Sequence, residues 1–175
     1  MSTITTFFHR RLDLFHTLMI VLFGIATFLS LASLYFQFVM HLEPCPLCIA
    51  QRIAVFALTP LFLASAFIKK RISFLISTFF QLLFTLLGFS MAARQIWLIH
   101  HPDQVGSGCL PDMSILWHYM PFSDLLTTFL NGSSSCIAIS WKLLGMSMPE
   151  WTLICFLLFF ILIIIAIRAR SLKTQ

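Results

Sequence analysis

Apolar residues dominate four stretches of the chain, from Thr17 to Tyr35, from Cys48 to Ile68, from Ile72 to Ala93 and from Trp151 to Ile167. Each is about the ~17 to 25 residues that a helix needs to cross a hydrocarbon core. Lipid offers no partner for backbone N–H and C=O groups, so runs of this length are helical, and neither Gly24 nor Pro60 or Gly88 need break them. The pattern predicts an all-α membrane protein, a single four-helix domain spanning residues 1–175. Polar positions mark the connections. Lys69 to Arg71 leaves room only for a tight turn, making the second and third spans antiparallel neighbours. Phe36 to Leu47 is a short loop, in which Pro44 and Pro46 bias the residues before them to extended geometry. The segment from Arg94 to Glu150 is the main portion outside the membrane, and long connections of this kind are usually functional. It carries turn signals at Pro102, Gly106, Gly108, Pro111, Pro121 and Asn131-Gly132. Within it, Phe122 to Leu130 suits either a short helix on the membrane surface or plain loop packing.

Composition agrees with lipid as the solvent: 59% of residues are hydrophobic and 10% charged, with a mean hydropathy of +0.96, outside the range of soluble globular proteins. A net charge of +5 raises nucleic acid as a partner, but the basic residues sit in short clusters between apolar runs rather than in one patch, and nucleic acid is set aside. Those clusters set the topology. Arg10, Arg11, Lys69, Lys70, Arg71, Arg168, Arg170 and Lys173 flank the span ends that share one side, which is therefore the cytoplasm. Both termini are expected there. Arg10 and Arg11 ahead of an apolar run also fit a signal peptide, yet the run is longer than the ~7 to 15 residues of such a segment.

Of the five cysteines, this topology puts Cys45, Cys48, Cys109 and Cys136 on the side away from the cytoplasm and leaves Cys155 within the last span, as a buried apolar filler. Two structural disulfides are one reading of four thiols in an oxidising compartment, and for Cys109 with Cys136 that reading stays open. Cys45 and Cys48 point elsewhere. A C-x-x-C ring is too small to restrict much chain entropy, whereas that spacing lets one thiol activate its neighbour for exchange. Cys48 falls in the first turn of the second span, where unpaired amide N–H groups and the helix dipole favour a thiolate. Arg52 follows one turn deeper on the same face, placed either to stabilise that thiolate and hydrogen-bond a carbonyl oxygen or to snorkel to the interface. A four-cysteine zinc site usually takes two close pairs, which Cys109 and Cys136 do not form. Haem attachment needs His where Ile49 stands. No G-x-G-x-x-G follows a strand, so a nucleotide cofactor lacks its cradle. A lipid-soluble quinone reached from Cys48 is the natural electron acceptor.

The stretch from Tyr35 to Met40, then Glu43-Pro44-Cys45-Pro46-Leu47-Cys48-Ile49-Ala50-Gln51-Arg52, resembles the first-loop signature of the disulfide bond formation protein B (DsbB) family. Arg94-Gln95-Ile96-Trp97, the Cys109 and Cys136 pair, and Trp141 to Trp151 ending in Leu-Gly-Met-Ser-Met-Pro-Glu-Trp match in the same order. The resemblance implies a bacterial inner-membrane enzyme with its long loop in the periplasm, which reoxidises a periplasmic DsbA-like thioredoxin-fold protein and reduces ubiquinone or menaquinone. By position, it implies that Cys109 forms the mixed disulfide with the partner and Cys136 resolves it. Cys45 and Cys48 then collect the electrons, and Cys48 faces the quinone beside Arg52. His100 matches a position where a quinone-side histidine occurs in the family; His101 next to it leaves the alignment open, with an interfacial histidine as the alternative. Gln51 departs from the acid that some members carry beside the arginine, and would leave Arg52 without a neighbouring carboxylate.

Two other readings compete. A vitamin K epoxide reductase-like protein is also a four-helix quinone oxidoreductase, but its quinone-side C-x-x-C belongs near the last span, not at the start of the second. A non-catalytic membrane assembly factor with two structural disulfides would lose stability, and no electron transfer, on Cys45→Ser.

Overall fold

Four long helices form where the apolar runs lie, and each outlasts its run. In the computed structural model, which describes residues 2–41, 45–68, 70–102, 142–143 and 145–171, α1 spans Ser2–Phe38, α2 Pro46–Phe67, α3 Arg71–His100 and α4 Met148–Ser171. All four are long and apolar enough to cross a membrane, which makes the chain a multi-pass membrane protein. α2 packs against α1 and α3, and α4 closes the ring against α3 and α1.

The extra turns have local causes. α3 runs past Ala93 because the next residue that resists helix is Pro102, and the polar Arg94 and His100 suit an interface rather than ending a helix. The expected outer segment is therefore shorter at both ends. α4 starts at Met148 because Glu150 caps the residue preceding the helix: its carboxylate accepts from the Ser147 backbone N–H and from the Ser147 hydroxyl, the latter at 2.7 Å. A two-stranded hairpin leads into that cap, β1 (Lys142–Leu143) pairing antiparallel with β2 (Met146–Ser147). Gly145 occupies its turn at φ +83°, which glycine adopts without steric cost. The loop reading of this stretch missed the hairpin.

The core and the lipid-facing surface divide as expected for a bundle in lipid. Phe15, Met19, Leu22 and Ala26 of α1 meet Leu58 and Phe62 of α2 and Phe156, Phe159 and Ile163 of α4. α3 turns its polar and small residues inward, burying Ser77, Thr78, Gln81, Thr85, Gly88, Ala92 and Gln95, while Ile72, Leu75, Ile76 and Phe79 are exposed. Hydrocarbon supplies no hydrophobic drive between helices, so association relies on close packing and hydrogen bonds. Gln81 Nε2 donates to the Leu61 carbonyl at 3.1 Å and to Ser65 Oγ at 2.6 Å, and Ser65 Oγ lies 2.7 Å from Ser77 Oγ. Gly88 carries the close packing: the Phe156 ring lies where a Cβ would stand.

Lys70 and Arg71 lie at the same end of the bundle as Arg168 and Arg170. Arg170 ties that end together, donating from Nη2 to the Ile68 carbonyl at 2.8 Å with its guanidinium 4.0 Å from the Phe74 ring centroid and 5.2 Å from that of Phe15. The C-x-x-C pair is at the opposite end of α2.

Candidate functional site

Cys45 is the N-cap of α2, in extended conformation, and Pro46 follows within its first turn. Proline suits this place because its missing N–H would have no helical partner and its fixed φ is already helical. Cys48 consequently sits in the first turn, its backbone N–H donating to Cys45 Sγ at 3.3 Å. The two sulfurs lie 3.0 Å apart, about 1 Å more than a disulfide bond. Leu47 and Leu98 pack around Cys45, and Met91 closes the cluster with Cys48. Cys45 is buried and Cys48 half-buried.

Arg52 lies one turn below Cys48 and reaches α1 rather than the interface. Nη2 donates to the Ser33 carbonyl at 3.0 Å and Nη1 to Gln37 Oε1, while the charge remains in electrostatic range of Cys48. Gln51 does not partner Arg52. It turns the other way, donating from Nε2 to Gln95 Oε1 at 2.9 Å, and both amides are 4% exposed. Arg52 thus takes these two acceptors from α1.

Below these sulfurs a cavity of about 220 Å³ opens between three helices. α1 supplies Leu29, Ala32, Ser33 and Phe36; α2 supplies Cys48, Gln51, Arg52 and Val55; α4 supplies Met148, Pro149, Trp151, Thr152, Cys155, Phe156 and Phe159. Its walls are largely apolar, with Ser33, Thr152 and Cys155 among them, and at the head of α2 it is bordered by Cys48 and Arg52. Apolar walls with a few convergent polar groups are the usual make-up of a small-molecule site.

The sequence expectations meet this geometry unevenly. Cys45, Cys48 and Arg52 come together at the head of α2. His100 stands apart, exposed and outside the cavity lining, with Nδ1–H donating back to the Ile96 carbonyl at 2.8 Å. His101 stacks on Trp97 with ring centroids 4.7 Å apart. Cys109 and Cys136 lie outside the described residues, as do Glu43, Pro44 and the Phe122 to Leu130 segment. Cys155 is half-buried in the cavity wall, not a core filler, because it shares a stripe with Met148, Trp151, Thr152 and Phe159 at helical spacing. Gln37 and Gln95 were visible only as letters within longer motifs, and nothing local marked them as partners of Arg52 and of the sulfurs.

A family model described as "Disulfide bond formation protein DsbB" matches residues 15–166. The chain belongs to the DsbB family. Among curated DsbB relatives, disulfide bond formation protein B of Methylococcus capsulatus is 44% identical over 128 residues, covering 72% of this chain and 77% of the relative. That of Hahella chejuensis is 39% identical over 136 residues, covering 74% and 82%. That of Stutzerimonas stutzeri is 35% identical over 146 residues, covering 81% and 87%. This DsbB-family membrane protein takes part in disulfide bond formation, and a C-x-x-C pair capping a transmembrane helix is the thiol chemistry of an oxidoreductase.

Proposed function

We propose that the chain is a protein dithiol:quinone oxidoreductase of the bacterial inner membrane, which reoxidises a periplasmic DsbA-like thioredoxin-fold protein and delivers the electrons to ubiquinone or menaquinone. The observation that carries this reading is the cavity wall, where Cys48 and Arg52 border a largely apolar space between membrane-spanning helices. Such a space admits a lipid-soluble ring, and the guanidinium suits a carbonyl oxygen on it.

Each residue has a part. Cys109 takes up the partner's thiol as a mixed disulfide and Cys136 resolves it, roles carried over from the family's motif. Cys45 and Cys48 then receive the electron pair by exchange. The start of α2 orients both sulfurs, and the positive end of its dipole favours the thiolate at Cys48. Arg52, tied to Ser33 and Gln37, holds its charge beside Cys48 and next to the cavity. A bound quinone supplies the two-electron, two-proton sink that converts the Cys45–Cys48 dithiol to a disulfide. Lys70, Arg71, Arg168 and Arg170 gathered at the far end of the bundle support a cytoplasmic location for that end, with the sulfurs facing the periplasm.

The test is quinone reduction by the purified chain in detergent, supplied with a reduced thioredoxin-fold oxidase and comparing wild type with Cys48→Ser. Turnover abolished by the substitution is expected. Absence of turnover in wild type with ubiquinone and menaquinone analogues, each tried with several such partners, overturns the reading.

A further inference from the structure

The redox cysteines have a neighbour that no part of the relay uses. Gln95, on the outer extension of α3, places Nε2 3.3 Å from Cys48 Sγ and 3.6 Å from Cys45 Sγ. Its own Oε1 accepts from Gln51 Nε2 at 2.9 Å. In this arrangement Nε2 is the end of the Gln95 amide nearer to Cys48 Sγ, with Oε1 turned to Gln51. Gln95 is 4% exposed, so water does not compete freely for these contacts. Leu98 and Met91, one turn to either side on the same face, pack against the same sulfur cluster and hold α3 against the head of α2.

We propose that Gln95, oriented by Gln51, is a positioning residue for the C-x-x-C pair, its amide N–H groups stabilising the thiolate released when the Cys45–Cys48 disulfide is opened. The inference rests on the reading of that pair as redox-active. In the exchange step an incoming protein thiolate bonds to Cys45 Sγ and the Cys45–Cys48 bond breaks. Cys48 Sγ leaves as a thiolate carrying the electron pair, and no proton moves. Gln95 Nε2 stands within donor range of that anion. The same amide also serves the protonated state, because Oε1 lies 3.5 Å from Cys48 Sγ and accepts from the thiol. A carboxylate at this place would accept from the thiol but repel the thiolate. Two neutral amides therefore favour the anion without adding a second charge to a low-dielectric interior.

Among the described residues, the other charged and titratable groups near this end are Arg52 on α2, Arg94, His100 and His101 on α3, Tyr35 and His41 at the end of α1, and Glu150 at the start of α4. All of them persist when an amide is replaced, so a change in the thiol's titration reports the amide itself.

The experiment is iodoacetamide alkylation of Cys48 against pH, resolved by peptide mass spectrometry, in the reduced full-length chain in detergent. It compares wild type, Gln95→Met and Gln51→Met; methionine keeps the side-chain length and removes the N–H donors. In Gln95→Met the midpoint is expected to rise by about one pH unit, a roughly tenfold loss of thiolate at neutral pH. Gln51→Met is expected to move it in the same direction by less. Unchanged midpoints in both variants overturn the assignment. If Gln95→Met does not fold, Gln51→Met decides: a rise supports the proposal and a wild-type midpoint overturns it. The titration needs neither quinone nor partner, so a wild-type chain without quinone turnover would sink the function proposed above and leave this test standing.

Discussion

Arg52 shows how much of a single side chain's role depends on where its other atoms are held. One nitrogen is committed to the Ser33 carbonyl and another to Gln37, so the guanidinium is anchored to α1 while it borders the cavity. Arginine presents five N–H donors in a rigid fork, and the two ties leave donors for a ligand oxygen. Removing a charge-assisted hydrogen bond costs about 1.5 to 3 kcal/mol, so Arg52→Ala is expected to raise KM for a short-chain quinone about tenfold or more. Arg52→Lys, with the charge but not the fork, should fall between. Initial rates against quinone concentration give the answer, and a wild-type KM in Arg52→Ala would confine the residue to joining α1 and α2. Cys155 gives a second probe of the same space. In a chain whose other cysteines are serine, a quinone analogue is expected to slow alkylation of Cys155 by N-ethylmaleimide; unchanged labelling at saturating analogue would place the ligand elsewhere.

Among the elements, α4 is held at both ends by devices that hydropathy does not register. At its start, the Glu150 carboxylate satisfies the Ser147 backbone N–H, a donor that lipid cannot serve. At its finish, Arg170 joins α4 to the α2–α3 turn and to aromatic faces of α1 and α3. Cation–π contacts contribute about 0.5 to 2 kcal/mol each, more when desolvated. Arg170→Gln is accordingly expected to lower the apparent midpoint of thermal unfolding in mild detergent by several degrees, and an unchanged midpoint would mean that the contacts are idle. The spans themselves were legible because twenty apolar residues in sequence have few alternatives to a membrane helix. Cys48 and Arg52 were legible together because four residues make about one turn on one face. Gln95 was not, since its meaning depends on a tertiary contact between the end of α3 and the head of α2. Nor were Gln81, Ser65 and Ser77, whose partners are a helix away and whose inward orientation contradicts the habit of reading polar residues as surface.

At the scale of the whole molecule, the basic residues gathered at one end of the bundle and the sulfurs at the other make a statement about sidedness that can be checked in intact cells. A membrane-impermeant maleimide is expected to reach Cys48 from the periplasm, and a fluorescent protein fused after Gln175 is expected to fold in the cytoplasm. A C-terminal alkaline phosphatase fusion that is active instead would invert the topology and remove the sulfurs from any periplasmic partner.

Gly88 carries a different consequence. It belongs to α3, which contributes nothing to the cavity lining, yet the Phe156 ring that forms part of the wall rests directly on it. Any side chain at that position must push the ring, and the direction away from α3 is into the space between α1, α2 and α4. A compound that inhibits the enzyme by filling this space can thus be evaded by a change in a helix it never touches, and resistance selected against such a compound has a route through Gly88 as well as through the residues in contact with it.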